Sequence, residues 1–277
     1  MEGVIVISNE GKHKIQGYLE GFIQGLIDEF EPPTGINPRD LRETKTESKK
    51  GDIKPFHEAI IPDGLMRINE FERSFSTRLG TTYEEVAKII AHEHHEDAQR
   101  QYKVEGVISS EAIKKIEFIK NSINSGGFKG ADYLQYVKDV VNVAKGKGEE
   151  RYKIADLYIL TKNKEEMFFE IKSPKPNKGQ CLEATERLLE FHALKKTANP
   201  KVQSYYAMAY NPYGIEKEKY KHSFVVNYMD LNNQVLIGKD FWKLVGGTDT
   251  YSEVLEIYRK VGREKGPDMI DKLALGY

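Results

Sequence analysis

Cysteine is nearly absent from the 277 residues. The single Cys181 excludes an internal disulfide and a multi-cysteine zinc centre, and it fits a reducing compartment. An excess of either charge is absent too. There are 42 Lys and Arg against 43 Asp and Glu, a formal net charge of −1, so composition neither points to nor excludes a polyanionic partner. Any surface that meets one must come from local patterning. No stretch approaches the roughly 18 apolar residues of a membrane-crossing helix. The opening MEGVIVISNEGKHK has no basic region before its short apolar run, so it does not read as a secretory signal. The expectation is a cytoplasmic protein. What is present is ordinary for a folded chain: 39% hydrophobic and 31% charged residues, on a length that suits one sizeable domain.

Apolar residues at helical spacing run from Ile15 to Phe30 and stop at Pro32 and Pro33. Residues 31–64 show little periodicity and read as a long loop. Thr81 or Thr82 would cap a helix running to about Tyr102, with Glu84 and Glu85 in its first turn. Ser109 or Ser110 opens another helix, ended by Gly126 and Gly127, and a third runs from Ala131 to Ala144. The texture then changes. KIADLYIL (153–160) and MFFEIK (167–172) read as two strands joined by the short polar TKNKEE, which is a hairpin. Gly179 to Lys196 returns to helix, VQSYYAMAY (202–210) to strand, and Phe224–Tyr228 to a further short strand; Phe241–Val245 and Tyr251–Val261 look helical. A helix between Lys172 and Val202 is a crossover that makes its flanking strands parallel. The fold class is α/β, a mixed central sheet flanked by helices with a helical N-terminal part.

If the hairpin turn centres on Asn163, positions summing to 326 face one another, and Asp156 lies opposite Glu170. Cross-strand neighbours have Cβ atoms about 4.5–5.5 Å apart. Lys172, two residues beyond Glu170, projects from the same face. Two carboxylates that close raise each other's pKa unless a cation sits between them. Oxygen ligands with retained water suit Mg²⁺, which can activate water and neutralise charge on a phosphate. The bland alternative, a surface salt bridge, is countered by the apolar strands around it. Ile154, Leu157, Ile159, Phe168, Phe169 and Ile171 make embedded charges costly unless they serve a purpose.

IAD(156)LYIL, TKNKEE and MFFE(170)IK(172) together resemble the PD-(D/E)XK nuclease superfamily, with Ala155 where that name shows proline. The resemblance implies that Asp156 and Glu170 bind Mg²⁺ and that Lys172 serves the attacking water. RSFSTRLGTTYEEVA (73–87) is similar to the helix upstream of the hairpin in many of these nucleases. Its Gly80 and Glu84 fit G-x-x-x-E, which implies Glu84 as a third acid presented to the metal site, with Glu85 the fallback. Arg73 and Arg78 in the same stretch are candidate DNA contacts. With IGKDFWKLVGGTDTYSEVL (237–255) and the first helix, the chain resembles type II restriction endonucleases of the TdeIII-like group. That resemblance implies a restriction-endonuclease-like core at 65–277 preceded by a helical arm and loop at 1–64, all one nuclease domain. It also implies Mg²⁺-dependent double-strand cleavage at a short palindrome such as GGNCC, a homodimer, and a methyltransferase acting on the same site.

The loop SPKPNKGQ leaves directly from Lys172. Lys175 and Lys178 could grip phosphates there and Gln180 could reach DNA, or the loop is only a solvated turn. HEHHE (92–96) is not H-E-x-x-H and reads as a solvated helix face. Tyr205, Tyr206, Tyr210 and Tyr213 read as half core with hydroxyls at the rim, although stacking on bases is the alternative. Cys181 reads as a packed helix residue. Rival functions are a structure-specific repair or recombination nuclease and a non-catalytic DNA-binding protein.

Overall fold

A computed structural model describes residues 6–31, 37–43, 47–49, 51–126, 132–199 and 201–274. Its elements are α1 (Asn9–Phe30), α2 (Pro55–Glu58), α3 (Asp63–His94), β1 (Asp97–Ser109), α4 (Ser110–Gly126), α5 (Tyr133–Val143), β2 (Gly148–Leu160), β3 (Glu166–Ile171), α6 (Lys178–Lys195), β4 (Val202–Met208), α7 (Ser223–Tyr228), β5 (Val235–Ile237), α8 (Lys239–Gly246) and α9 (Thr250–Met269). The expected stops and starts at Pro32, Pro33, Gly127 and Ala131 lie outside the described residues. Among the described residues no helix is long and apolar enough to cross a membrane.

The chain forms two compact units. One comprises Met1–Gly11 and Tyr83–Glu253; the other comprises Lys12–Thr82 and Val254–Tyr277. The first is α/β around a five-stranded sheet of order β1-β2-β3-β4-β5. β1, β2 and β3 pair antiparallel, while β3–β4 and β4–β5 are parallel, so the sheet is mixed as expected. The crossover helix α6 carries the chain from β3 to β4. It buries Leu188, Leu189 and Phe191, and Phe191 meets Phe168 of β3 at 5.4 Å. On α8, Phe241 is buried and meets Phe169 at 5.9 Å. Neighbouring residues of one strand thus point to helices on opposite faces, which is why β3 is apolar throughout.

Three expectations are corrected. The helix opening at Thr81 or Thr82 is the latter part of α3, which starts at Asp63. The two threonine hydroxyls donate back to the carbonyls of Arg78 and Leu79 inside the helix rather than capping it. The helix ends at His94, and Asp97–Ser109 is strand β1, paired with β2 along its length. DAQRQYKVEGVIS is polar because β1 is an edge strand, where charge discourages pairing with other chains. Gly106 is needed in it, since a Cβ there would lie 2.6 Å from the Leu194 carbonyl oxygen of α6. Finally, Phe224–Tyr228 is helix α7, with only Val225 buried, not a strand. The short β5 has no counterpart among the elements expected from the sequence.

A buried polar knot ties α5, α6 and β4 together. Ser204 Oγ lies 2.7 Å from Tyr133 Oη and 3.0 Å from His192 Nε2. Burial pushes the His192 imidazole down from 6.5 to about 4. The folded value is below the unfolded one, so the stability it carries is full above 6.5 and is lost as pH falls from 6.5 through about 4. At the acid end of that window the loss is about 3 kcal/mol. The melting temperature should therefore drop across this window, and His192→Gln should flatten the drop; coincident profiles would contradict it.

Candidate active site

The hairpin register places the site. Leu157↔Phe169, Tyr158↔Phe168, Ile159↔Met167 and Leu160↔Glu166 all sum to 326, so Asp156 falls opposite Glu170. The turn closes by Thr161 N–H donating to the Glu165 carbonyl and Lys164 N–H to the Thr161 carbonyl, each at 2.8 Å. Asp156 Oδ2 accepts from the Ile171 backbone N–H at 2.8 Å and from Lys172 Nζ at 3.0 Å. Lys172 Nζ also lies 2.8 Å from Glu170 Oε1. One ammonium thus touches both carboxylates. Asp156 and Glu170 are 8% and 2% exposed, whereas the Lys172 side chain is 40% exposed, so the group open to solvent is the cation.

Burial, and then the charge of Asp156, hold the Glu170 carboxyl above the usual glutamate value against the pull of Lys172 and Arg187. Burial draws the Lys172 ammonium down, but Asp156 and Glu170 outweigh it and the net shift is upward. Lys172 is therefore protonated in this arrangement.

Sequence reasoning missed three residues. Arg187 of α6 places Nη1 3.0 Å from both Glu170 oxygens. No motif marks it; only an arginine on the helix after the hairpin hinted at it. Arg100 and Gln101 are hidden in the sequence because β1 reads there as a helix end. Arg100 Nη2 donates to Glu84 Oε2 at 2.9 Å and Arg100 Nη1 to Glu85 Oε2 at 2.9 Å, while Gln101 Nε2 reaches Glu84 Oε2 at 3.3 Å. Gln101 stands at the β1–β2 position facing Asp156, with φ at +50°, a left-handed backbone that non-glycine residues seldom adopt.

Glu84 and Glu85 separate clearly. Burial raises the Glu84 carboxyl above its usual value and the charge of Asp156 adds to this, against Arg100. Glu85 is lowered, because Lys88 and Arg100 outweigh its burial. Glu84 is the one that senses Asp156. Among the described residues no group of three or more His, Cys, Asp and Glu is gathered as a metal cluster. The hairpin pair is a carboxylate set that shares one ammonium.

The remaining candidates fall as follows. Lys175 is exposed, its ammonium 5.6 Å from the Tyr213 ring centroid. Lys178 Nζ donates to the Asn124 carbonyl at 2.9 Å. Gln180 forms a capping box with Asn177 at the start of α6, which commits its side-chain oxygen. Arg73 and Arg78 belong to the second unit, where Arg73 is exposed and Arg78 pairs with Glu29 at 2.6 Å. Of the HEHHE run, His94 Nε2 lies 2.9 Å from the Val6 carbonyl oxygen and His95 Nε2 3.1 Å from that of Leu244, so these rings serve structure. Tyr206 is fully buried, and Tyr205 donates its hydroxyl to Gln203 Oε1 at 2.5 Å. Burial pushes the Cys181 thiol up to about 12, which rules it out as a nucleophile near neutral pH.

Two buried acids bridged by a half-exposed lysine on an apolar hairpin are suited to phosphodiester chemistry. The comparisons agree. A type II restriction enzyme from Herpetosiphon aurantiacus, HgiCII, is 40% identical over 271 residues, covering 95% of this chain and 97% of that protein. HgiBI from the same organism matches at the same identity and coverage. MjaII of Methanocaldococcus jannaschii, also a type II restriction enzyme, is 24% identical over 225 residues, 75% of this chain and 58% of that protein. No solved structure matches. The narrower TdeIII-like grouping receives no support from these matches. The family described as type II restriction endonuclease, HinfI, matches residues 7–262, and this chain belongs to it.

Proposed function

We propose that the chain makes Mg²⁺-dependent double-strand cuts at a short symmetric DNA site, with Asp156 and Glu170 holding the cation, Glu84 the third acid of that metal site, and Lys172 serving the attacking water. The observation that carries this is the convergence of Asp156 and Glu170 on one ammonium. A cation entering that position meets two carboxylates, which suits Mg²⁺ because it binds through one or two carboxylates and completes its shell with water and phosphate oxygens. When bound, it supplies a water of lowered pKa and charge neutralisation at the phosphate.

The chain's own residues do the rest. The Ile171 N–H fixes Asp156 in orientation, and Arg187 does the same for Glu170. Protonated Lys172 orients the water through its N–H groups and stabilises charge that builds on the phosphate. Lys175, Lys178 and Gln180 on the adjoining loop, with Arg73 and Arg78, are the DNA contacts of this reading. One hairpin cuts one strand, so a double-strand break is met most simply by a homodimer whose twofold axis matches a palindrome. A methyltransferase modifying the same site would protect the host DNA in the cytoplasm.

Digestion of phage DNA with Mg²⁺, and with EDTA as control, followed by sequencing of the ends, tests this. The expected result is a discrete fragment ladder with identical ends, and GGNCC is the first site to look for. Sizing on a cognate duplex should give two chains per DNA. Preference for branched DNA would favour a repair nuclease; duplex binding without any cutting would overturn the catalytic assignment.

A further inference from the structure

We infer that Lys175 and Lys221, held over the Tyr213 ring, form a clamp for one DNA backbone phosphate beside the cut; this rests on the nuclease reading above. Lys175 Nζ lies 5.6 Å and Lys221 Nζ 5.8 Å from the centroid of that single ring. Both lysines are exposed, and among the described residues neither has a carboxylate within ion-pair distance. Three lysines of this unit, by contrast, are paired: Lys153 with Glu190, Lys195 with Glu166, and Lys239 with Glu216. The Lys239–Glu216 pair also engages the acid that stands next to the clamp segment in sequence.

Two ammonium groups sharing one ring repel each other. The cation–π attraction that gathers them is weak at an exposed site. A single anion reached by both ammonium groups offsets that repulsion. A phosphodiester suits this place because it brings one negative charge and several acceptor oxygens, and lysine binds phosphate as a point charge.

The clamp is fixed in position relative to the site. The Tyr220 hydroxyl donates to the Pro174 carbonyl at 2.7 Å and His222 Nε2 lies 2.7 Å from the Pro176 carbonyl oxygen, stapling the segment that carries Tyr213 and Lys221 to the loop leaving Lys172. Lys175 is three residues from Lys172, at most about 11 Å of chain. The phosphate it grips therefore lies within a few nucleotides of the one attacked. Lys178 has a different role. Its ammonium is bound to the Asn124 carbonyl and sits 4.9 Å over Tyr228, so it stands outside the clamp.

Equilibrium binding of the whole protein to a short duplex, in EDTA and over a range of KCl concentrations, tests the inference. Because both lysines act on one phosphate, the Lys175→Ala/Lys221→Ala double variant should lower the slope of log Kd against log [KCl] by about 0.9. Each single variant should lose part of that. A loss of about twice that in the double variant would mean two separate phosphate contacts and overturn the clamp. Lys221→Arg should keep the slope. The losses should be equal on cognate and random duplexes, because phosphate contacts carry no sequence information. A wild-type slope in Lys221→Ala overturns the clamp while the wild-type protein still cuts. A wild-type protein that neither binds nor cuts duplex DNA fails the nuclease reading instead.

Discussion

Asp156→Asn and Glu170→Gln are each expected to slow DNA cleavage by at least about 100-fold, the scale that loss of an outer-shell partner alone can reach, while duplex binding is retained. Each substitution keeps the side chain's shape. In Asp156→Asn the amide oxygen can still accept from the Ile171 N–H that holds Asp156 at 2.8 Å, so the hairpin keeps that bond and loses only the charge a cation needs. Binding survives because removing negative charge near a phosphate cannot weaken the approach of DNA. A stability readout separates this from simple damage. Glu170 has a carboxyl raised by burial and by Asp156, so its tighter hold on a proton stabilises the fold below the ordinary glutamate value, 4.5, and is lost as pH rises through the raised value. The cost of ionising the buried Glu170 is borne by the fold as pH rises past that raised value. Glu170→Gln should then melt higher than wild type at pH 7, with the gap closing as pH falls toward 4.5. Cleavage at the wild-type rate by both variants would remove these residues from the site.

The acids of the hairpin were legible because two local rules fix them. Strand alternation sets the face and a short turn sets the register, and both lie within about twenty consecutive residues. The partners of those acids were not legible. Arg187 reaches Glu170 only because α6 folds back across the sheet, a contact between residues 17 positions apart with no period linking them. Arg100 and Gln101 were hidden by a strand whose exposed edge carries polar residues in no clean alternation. The same polar edge makes the end of α3 look longer than it is. The start of that helix reads as Thr81 because a threonine that bonds back to its own helix has the same sequence as one that caps. The choice between Glu84 and Glu85 rested on β1 as well, because Arg100 takes hold of both and only Glu84 feels Asp156. The parallel pairing of β3 and β4 was legible, since a helix between two strands leaves few other topologies.

Lys172→Gln and Lys172→Ala should both lower the cleavage rate by about 10²- to 10⁴-fold, the range a positioned proton-handling or charge-stabilising group contributes. The geometry says why glutamine cannot substitute. Asp156 and Glu170 keep Lys172 protonated, so what it offers is positive charge together with N–H donors; glutamine offers only donors. Lys172 also has a second task that rate measurements do not see. It neutralises two carboxylates at once, and without it Glu170 keeps Arg187 while Asp156 keeps only a backbone N–H. The two acids then repel across the hairpin, so Lys172→Gln should melt below wild type at pH 7 in EDTA. Added Mg²⁺ should raise the melting temperature of the variant more than that of the wild type, because the cation takes over a neutralising role that Lys172 already fills in the wild type. Near-wild-type cutting by Lys172→Gln would refute the role of the charge. A melting temperature indifferent to Mg²⁺ in both proteins would instead refute the hairpin carboxylates as the cation's ligands, and the two results can be told apart in the same set of samples.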